Sequence, residues 1–576
     1  MNPLVGAVLL CSSGVGGGFS EERGWFMRFI ALLFVAAIAN FSWASTGRLC
    51  AAEGEKTFSP SGSIASCVGD ARIMDVGDRK QLFIDKRFMT VSEGIELVAN
   101  PPVKKDIVFR PDKTEMKSMF WISAVLEVDG KYLMYYGTRP SRDAVQEDRS
   151  QAPMMRLLES TNGLDWQRVH SGQFDIGDGT GINNNIVMVG GWGTIFLDPN
   201  ETDGYRFWMM GHARENLWRI LKPQKEEAKK KGPKEGALHL CRSKDGIHWE
   251  RIDQPALPFA CDTRNQCLFD ARLGKYVAYV RGRPGGHMSR VICRAESDTL
   301  IGPWPFNANP DRERGEKGWY GWVADELPIV MDLEPFDPPK FGLYTPNLAV
   351  YPWAQDVYLA FPGAYRLRDG IESHGRDERG KPGNEGPLQP AIAVSRDGIQ
   401  WHRFQKPYLP LGRLGQIDSG TIYMAAGMIR QGDEIYQYAS ASPTTHHGFG
   451  VTLPGMDGGI LRTAQRLDGF VSADAGPDLG QFMTPPMTFA GDRLMLNVDC
   501  SALGEVWVEI LDAKGTPIPG YAMDEAVSVD LNGTAQEVWW KNGPNVRELA
   551  GKPIRLRFRM RSAKLYAFQF VHHSDG

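Results

Sequence analysis

Asp262, in the phrase Cys-Asp-Thr-Arg-Asn, and Asp418, in Ile-Asp-Ser-Gly-Thr, each stand among small or polar residues just before an apolar, β-rich run. Two carboxyl groups so placed can divide acid–base work. One stays protonated to assist a departing oxygen, while the other activates water or attacks carbon. Asp262 and Asp418 are therefore the first candidates, with Glu115 or Asp112 third and Asp325-Glu326 in reserve. Each has a structural alternative, because such carboxylates also cap turns or pair with arginine, and Asp262 has Arg264 beside it. Arg264 and Arg281 suit bidentate binding of a carboxylate or of hydroxyls. Trp192 and Tyr344 suit stacking on a flat ligand face, and Asn184 and Asn347 suit hydrogen bonding to hydroxyls. His212 and the His446-His447 pair hold equivalent places after two different hairpins, which favours a rim or pocket role, although a lone histidine is more often structural. No H-E-x-x-H, EF-hand loop or zinc spacing occurs, so neither a metal nor another cofactor is expected. G-x-S-x-G, P-loop and dinucleotide signatures are missing as well.

These side chains must be positioned by strands, because from about residue 72 the chain reads as one β-run after another. Phe120 to Val128 and Lys131 to Tyr136 flank Asp129-Gly130, a strong hairpin signal. The phrase returns around Asp203-Gly204, Leu273-Gly274, Ala354-Gln355 and Gly432-Asp433, giving five hairpins. A second element follows them: Ser160 to Trp166, Ser243 to Trp249 and Ser395 to Trp401 share S-x-[DN]-G-x-x-W, with degenerate versions at 297–304 and 466–470. The Asp/Asn-Gly step supplies a positive-φ turn and the Trp covers the end of its own sheet. A hairpin followed by such a turn, repeated five times, predicts a radial array of four-stranded sheets.

The expected fold class is all-β: a five-bladed β-propeller over 72–473, then an antiparallel β-sandwich over 478–576. The sandwich rests on strictly alternating runs such as Arg493 to Val498, Glu505 to Ile510 and Ile554 to Met560. In a propeller the innermost strands run along one axis, so the polar residues that lead into them converge on one mouth.

The whole-chain numbers agree with a globular protein. Lys+Arg 65 against Asp+Glu 69 leaves a net charge of -4 over 576 residues, which gives no field to attract nucleic acid. The basic run at 222–234 contains Glu226 and Glu227 and reads as a solvated insertion. Met27-Arg28, the apolar run Phe29 to Ala39 and Ser42-Trp43-Ala44 have the three parts of a secretory signal, so residues 1–52 are expected to be leader and linker. Export to the periplasm or exterior follows, with no membrane association after cleavage. Eight cysteines are sparse, and Cys261 and Cys267 suit either a disulfide across a loop or two buried thiols.

With its five repeats and C-terminal domain, the chain resembles the five-bladed β-propeller glycoside hydrolases, the arabinanase/β-xylosidase and invertase/levanase superfamily. It resembles more closely a secreted bacterial group in which Gln81-Leu-Phe-Ile-Asp85, Gly274 to Arg281, Ala393 to Gly398 and Asp418 to Tyr423 recur. The resemblance implies an exported glycosidase that acts on a poly- or oligosaccharide through paired carboxylates in the axial pocket. The invertase-like N-D-P-N-G, R-D-P and E-C-P motifs are absent, which argues against fructosidase activity. Two alternatives stand beside it: a non-catalytic carbohydrate-binding propeller, and a sialidase-like hydrolase suggested by the S-x-D-G-x-x-W turns. A structural surface protein is the third.

Overall fold

The Asp129-Gly130 turn closes its hairpin with both residues at positive φ, 51° and 76°, the geometry a two-residue hairpin needs. All five hairpins read from the sequence are present in the computed structural model. It describes residues 72–573 apart from 113–117, 140–152, 176–180, 191, 202, 214–235, 285–289, 316, 368–385 and 447–457. The described residues are nearly all β, with only two short 3-10 segments, Lys86–Phe88 and Arg547–Leu549. None of their helices is long and apolar enough to cross a membrane. The expected leader, 1–52, lies outside the described residues.

Each hairpin opens an antiparallel sheet. Sheet 1 runs Ser118–Val128, Lys131–Arg139 and Met154–Ser160, with Gln167–Arg168 and Ile186–Val189 both laid along its third strand. Sheet 2 comprises Trp192–Leu197, Phe207–Ala213, Ala237–Ser243 and Trp249–Arg251, and sheet 3 Gln266–Asp270, Lys275–Gly282, Val291–Ser297 and Ile329–Met331. Sheet 4 comprises Leu348–Val350, Tyr358–Ala360, Ala393–Ser395 and Trp401–Arg403. Sheet 5 is larger: Thr421–Met424, Glu434–Ser442, Gly459–Arg466 and then Val103–Phe109, from before sheet 1, run in that order, Ile429–Gln431 pairs with the second of them, and Leu388–Pro390, Gly363–Arg366 and Phe341–Leu343 extend the sheet beyond Thr421–Met424.

Contacts between first strands tie neighbouring sheets together. The Ser123 hydroxyl donates to the Gly193 carbonyl at 2.7 Å and accepts from the Ile195 N–H at 3.1 Å, joining sheets 1 and 2. The Gln266 carboxamide bonds the Leu348 backbone in both directions, joining sheets 3 and 4. Val125 N–H donates to the Ala426 carbonyl at 2.9 Å, joining sheet 1 to sheet 5.

The serine–glycine turns explain further seams. In the turn of sheet 2 the Asp245 carboxylate accepts the Ile247 and His248 N–H groups, and the Ser243 hydroxyl accepts Gly246 N–H. The same pattern recurs at Asn162 and Asp397. Each turn glycine then offers its carbonyl to a buried tyrosine of the preceding sheet: Tyr135 to Gly246 at 3.1 Å, Tyr279 to Gly398 at 2.8 Å and Tyr438 to Gly163 at 2.6 Å. Sheets 2 and 3 are joined by Tyr276, which donates to Asp198 at 3.0 Å. Sheets 4 and 5 share one apolar core that includes Leu359, Val394, Ile422 and Ile435.

Two further six-stranded sheets enclose a separate core containing Phe83, Phe482, Phe558 and Phe568. The predicted runs at 493–498, 505–510 and 554–560 all form strands there, together with Ala563–Val571. The expected boundary at 72 is corrected: Met74–Gly77, Gln81–Leu82, Val91–Glu93 and Ile95–Ala99 all pair within these two sheets and not within sheets 1 to 5. Apolar faces at both ends of the chain complete one core, a pairing that no local pattern reveals. Cys261 and Cys267 are buried free thiols, not a disulfide.

Candidate functional site

In an antiparallel sheet the start of the first strand and the end of the second share an edge. Residues leading into first strands and residues leaving second strands therefore meet. In sheets 3 to 5 this edge gathers Asp262, Arg281, Arg283, Arg290, Tyr344, Tyr365, Tyr423 and His446.

Arg281 leaves the second strand of sheet 3 almost wholly buried. Its Nε and Nη2 donate to the Tyr344 carbonyl at 3.2 and 3.1 Å, and its guanidinium lies 4.0 Å from the centre of the Tyr344 ring. Arg283, two residues on, stacks 3.7 Å over the Trp322 ring and pairs with Asp262 at 3.6 Å. Arg290 lies over the Tyr365 ring at 5.2 Å, where Gly342 leaves room for its side chain: a Cβ at Gly342 would sit 3.0 Å from that of Arg290. Burial lowers the Arg283 pKa, and repulsion from Arg281 and Arg290 lowers it further against the opposing pull of Asp262, down to about 9. Arg290 is lowered by burial and by Arg281.

Aromatic hydroxyls line the adjoining wall. His446 Nε2 meets the Tyr344 hydroxyl at 3.1 Å and Nδ1 meets that of Tyr423 at 2.6 Å, so both ring nitrogens are engaged. Tyr344 and His446 remain half-buried. Asp262 is part-exposed, with about a third of its side chain open.

Of the residues nominated from sequence, Asp262, Arg281, Tyr344 and His446 come together here. Arg264 approaches the same aromatic group, with its guanidinium 5.9 Å from the Tyr423 ring, but Nη1 is spent on the Ile122 and Met424 carbonyls. It ties the first strands of sheets 1 and 5, and burial brings its pKa down to about 10.

The other carboxylates are held elsewhere. Asp418 accepts from Lys104 at 2.5 Å, a residue of the strand Val103–Phe109 at the far side of sheet 5. A strand from near the start of the chain thus supplies its partner. Asp112 is exposed and pairs with Arg168 at 3.5 Å. Glu115 and His447 lie outside the described residues. Asp325 accepts from Asn309 at 3.2 Å, and Glu326 is buried against Arg312.

Two asparagines serve their own loops instead of a ligand. Asn184 donates to the Phe174 and Gly181 carbonyls and accepts from Ile186 N–H, while Asn347 donates to Thr345 Oγ1 and to the Phe361 carbonyl. Trp192 and His212 stand opposite one another in the register of sheet 2.

Sequence reading missed Arg283, Arg290, Trp322, Tyr365 and Tyr423. A usable signal was there, since Arg281 to Arg290 (RGRPGGHMSR) holds three arginines and no acid.

No family model and no curated protein matches this chain. Solved structures similar to it include a glycosyl hydrolase from Bacteroides ovatus, at 13% identity over 65% of this chain and 96% of that one, TM-score 0.39. A second is a structure titled for the GH130 family of mannoside phosphorylases and the glycoside hydrolases within it, at 14% identity over 69% and 99%, TM-score 0.37. A third is a thermostable family-43 glycoside hydrolase, at 13% identity over 62% and 93%, TM-score 0.34.

Among the described residues no three His, Cys, Asp or Glu side chains gather as a metal site. What the described residues of the site offer is the part-exposed carboxylate of Asp262, a cluster of guanidinium groups and a wall of aromatic hydroxyls.

Proposed function

We propose that this protein is an exported glycoside hydrolase, built as a five-bladed β-propeller with a β-sandwich, that cleaves a poly- or oligosaccharide at the edge where Asp262 lies. The observation that carries the reading is Asp262 itself, a part-exposed carboxylate among Arg283, Trp322 and Tyr344. Aromatic rings and multiple donors around one carboxylate suit a sugar ring and its hydroxyls. With Arg283 at 3.6 Å, negative charge on Asp262 is compensated, which fits the group that attacks or stabilises an oxocarbenium-like state better than the proton donor. Glu115, read from the sequence as a base or nucleophile, is the remaining candidate for the second carboxyl group. The seams between sheets 1 to 5 support the propeller reading, and the shared core of the two remaining sheets supports the sandwich.

A hydrolysis screen over arabinosides, xylosides, galactosides, fructans and sulfated glycans tests this. Asp262→Asn is expected to lower kcat at least about 100-fold, and Asp418→Asn to leave it within a few-fold. Unchanged turnover in Asp262→Asn would sink the assignment. A non-catalytic carbohydrate-binding protein is the second reading. It is favoured by one observation: the described carboxylates Asp418, Asp112 and Asp325 each have a side-chain partner of their own, Lys104, Arg168 and Asn309. Glycan binding without turnover by the unaltered protein would select it.

A further inference from the structure

We infer that the long connection 298–328 of sheet 3 is a substrate-binding element, and that Trp322 on it is the platform against which a sugar ring lies beside Asp262; this rests on the carbohydrate reading above.

In sheets 1, 2 and 4 the third and fourth strands are joined by the short serine–glycine turns, over 161–166, 244–248 and 396–400. Sheet 3 departs from this, since 298–328 separates Val291–Ser297 from Ile329–Met331. Irregular connections longer than about 12–15 residues are uncommon in compact domains and usually carry function. This one is firmly built. Trp304, Tyr320, Val323 and Leu327 are buried in a core shared by sheets 2 and 3, where Tyr320 stacks on Phe259 at 5.2 Å. Glu326 is buried, accepts Ala324 N–H at 2.9 Å and pairs with Arg312, which also donates to the Trp322 carbonyl at 2.8 Å.

The far end of the connection docks on the two segments that carry Asp262 and Arg283. The Gly321 carbonyl accepts Ala260 N–H at 2.8 Å, two residues before Asp262, and the Val323 carbonyl accepts Arg283 N–H at 2.7 Å. Trp322 is thereby fixed from both sides. Arg283 lies 3.7 Å over its ring and reaches Asp262 at 3.6 Å, so the width of one guanidinium separates the indole from the carboxylate. Unlike that arginine, Trp322 and Asp262 are both part-exposed. Arg283 takes one face of the indole; no other ring or cation of a described residue lies over it, and its N–H has no acceptor among the described residues. A sugar ring has apolar C–H faces that pack on an aromatic plane, and hydroxyls around its rim that accept from an N–H.

The test is binding of the methyl glycosides of arabinofuranose, xylose, galactose and mannose to the full chain, followed by calorimetry and by tryptophan fluorescence, beside the hydrolysis screen. Affinity is read as Kd for these glycosides and as KM for any glycan that is turned over. For the best-bound sugar, Trp322→Ala is expected to weaken affinity about tenfold or more, and Trp322→Phe to weaken it less. Trp319→Ala, in the same connection but against His239, is expected to leave it unchanged. The ligand-induced fluorescence change is expected to disappear in Trp322→Phe and to persist in Trp319→Phe, a readout that a merely structural tryptophan would not move. Unchanged affinity in Trp322→Ala, an equal loss in Trp319→Ala or a fluorescence change that survives Trp322→Phe overturns the inference, and continued hydrolysis in that case leaves the glycosidase reading intact. Binding that depends on Trp322 without turnover of any glycan supports the inference and counts against the glycosidase. Neither binding nor hydrolysis of any of these sugars overturns both.

Discussion

The Tyr423 hydroxyl and His446 Nδ1 lie 2.6 Å apart, and Tyr344 meets the opposite nitrogen of the same ring at 3.1 Å. A neutral imidazole offers one donor and one acceptor, so one phenol must donate to it and the other accept from it. The histidine thereby fixes two tyrosines that are distant along the chain. Tyr423→Phe leaves a ring nitrogen without its partner beside a buried side chain, and is expected to cost about 1 to 3 kcal/mol. Tyr344→Phe, at a wetter position, is expected to cost less. Urea unfolding midpoints of the two variants check the order, and a reversed order refutes it.

Gly163 joins sheet 5 to sheet 1. Its φ is +71°, and a Cβ added there would lie 2.7 Å from the Tyr438 hydroxyl that donates to its carbonyl. Gly163→Ala is expected to lose about 1 to 3 kcal/mol through backbone strain and a displaced tyrosine. Tyr438→Phe should lose about 1 kcal/mol through the bond alone. In a double-mutant cycle the two losses should fall short of adding, because both act on one contact; full additivity would show that the seam does not depend on it.

Burial raises the Asp245 pKa, but the His248 ring, the His248 and Ile247 N–H groups and the Ser243 hydroxyl outweigh it and bring the carboxyl down to about 2 from 3.8. A carboxyl lowered on folding adds stability that is fully present above its unfolded value and is lost as pH falls through its folded value. With the side chain 48% exposed, solvent screening limits this to roughly 1 kcal/mol. Asp245→Asn should therefore flatten the loss of stability between about pH 4 and pH 2, read from urea midpoints against pH. An unchanged slope would show that the turn carries no such linkage.

Much of the fold was legible because it is local. Asp129-Gly130 and the Ser-x-Asp-Gly turns reveal themselves within a few residues, and the tyrosines that dock on them sit in the hairpins already read. The site was less so. Asp418 looked like Asp262, a carboxylate just ahead of a first strand, yet its environment comes from Lys104, and no short pattern announces a partner more than 300 residues away. Arg283 follows a strand, Trp322 lies in a connecting segment and Tyr365 sits inside the short strand Gly363–Arg366, so none of them leads into a first strand, the only place where the hairpin pattern points.

The sheets at the chain's end depend on residues near its beginning. Gln81–Leu82 and Ile95–Ala99 pair with Ala563–Val571 and Val471–Ala475, and Phe83 lies in the same core as Phe558 and Phe568. A chain begun at residue 100 should bind an exposed-surface dye and be cleaved by protease within 471–571. The same holds for residues 478–576 expressed alone. A protease-resistant 478–576 fragment would overturn this.

Sheet 5 also has a consequence in time. Its strand Val103–Phe109 leaves the ribosome long before its partner Gly459–Arg466, so the earliest-made strands wait for the latest. Contacts this distant along the chain slow folding and leave unpaired edges open meanwhile. The interval between making the first strand and making its neighbour is when this protein is most exposed to aggregation, and whatever shields the nascent chain must hold it while more than half of the sequence is made.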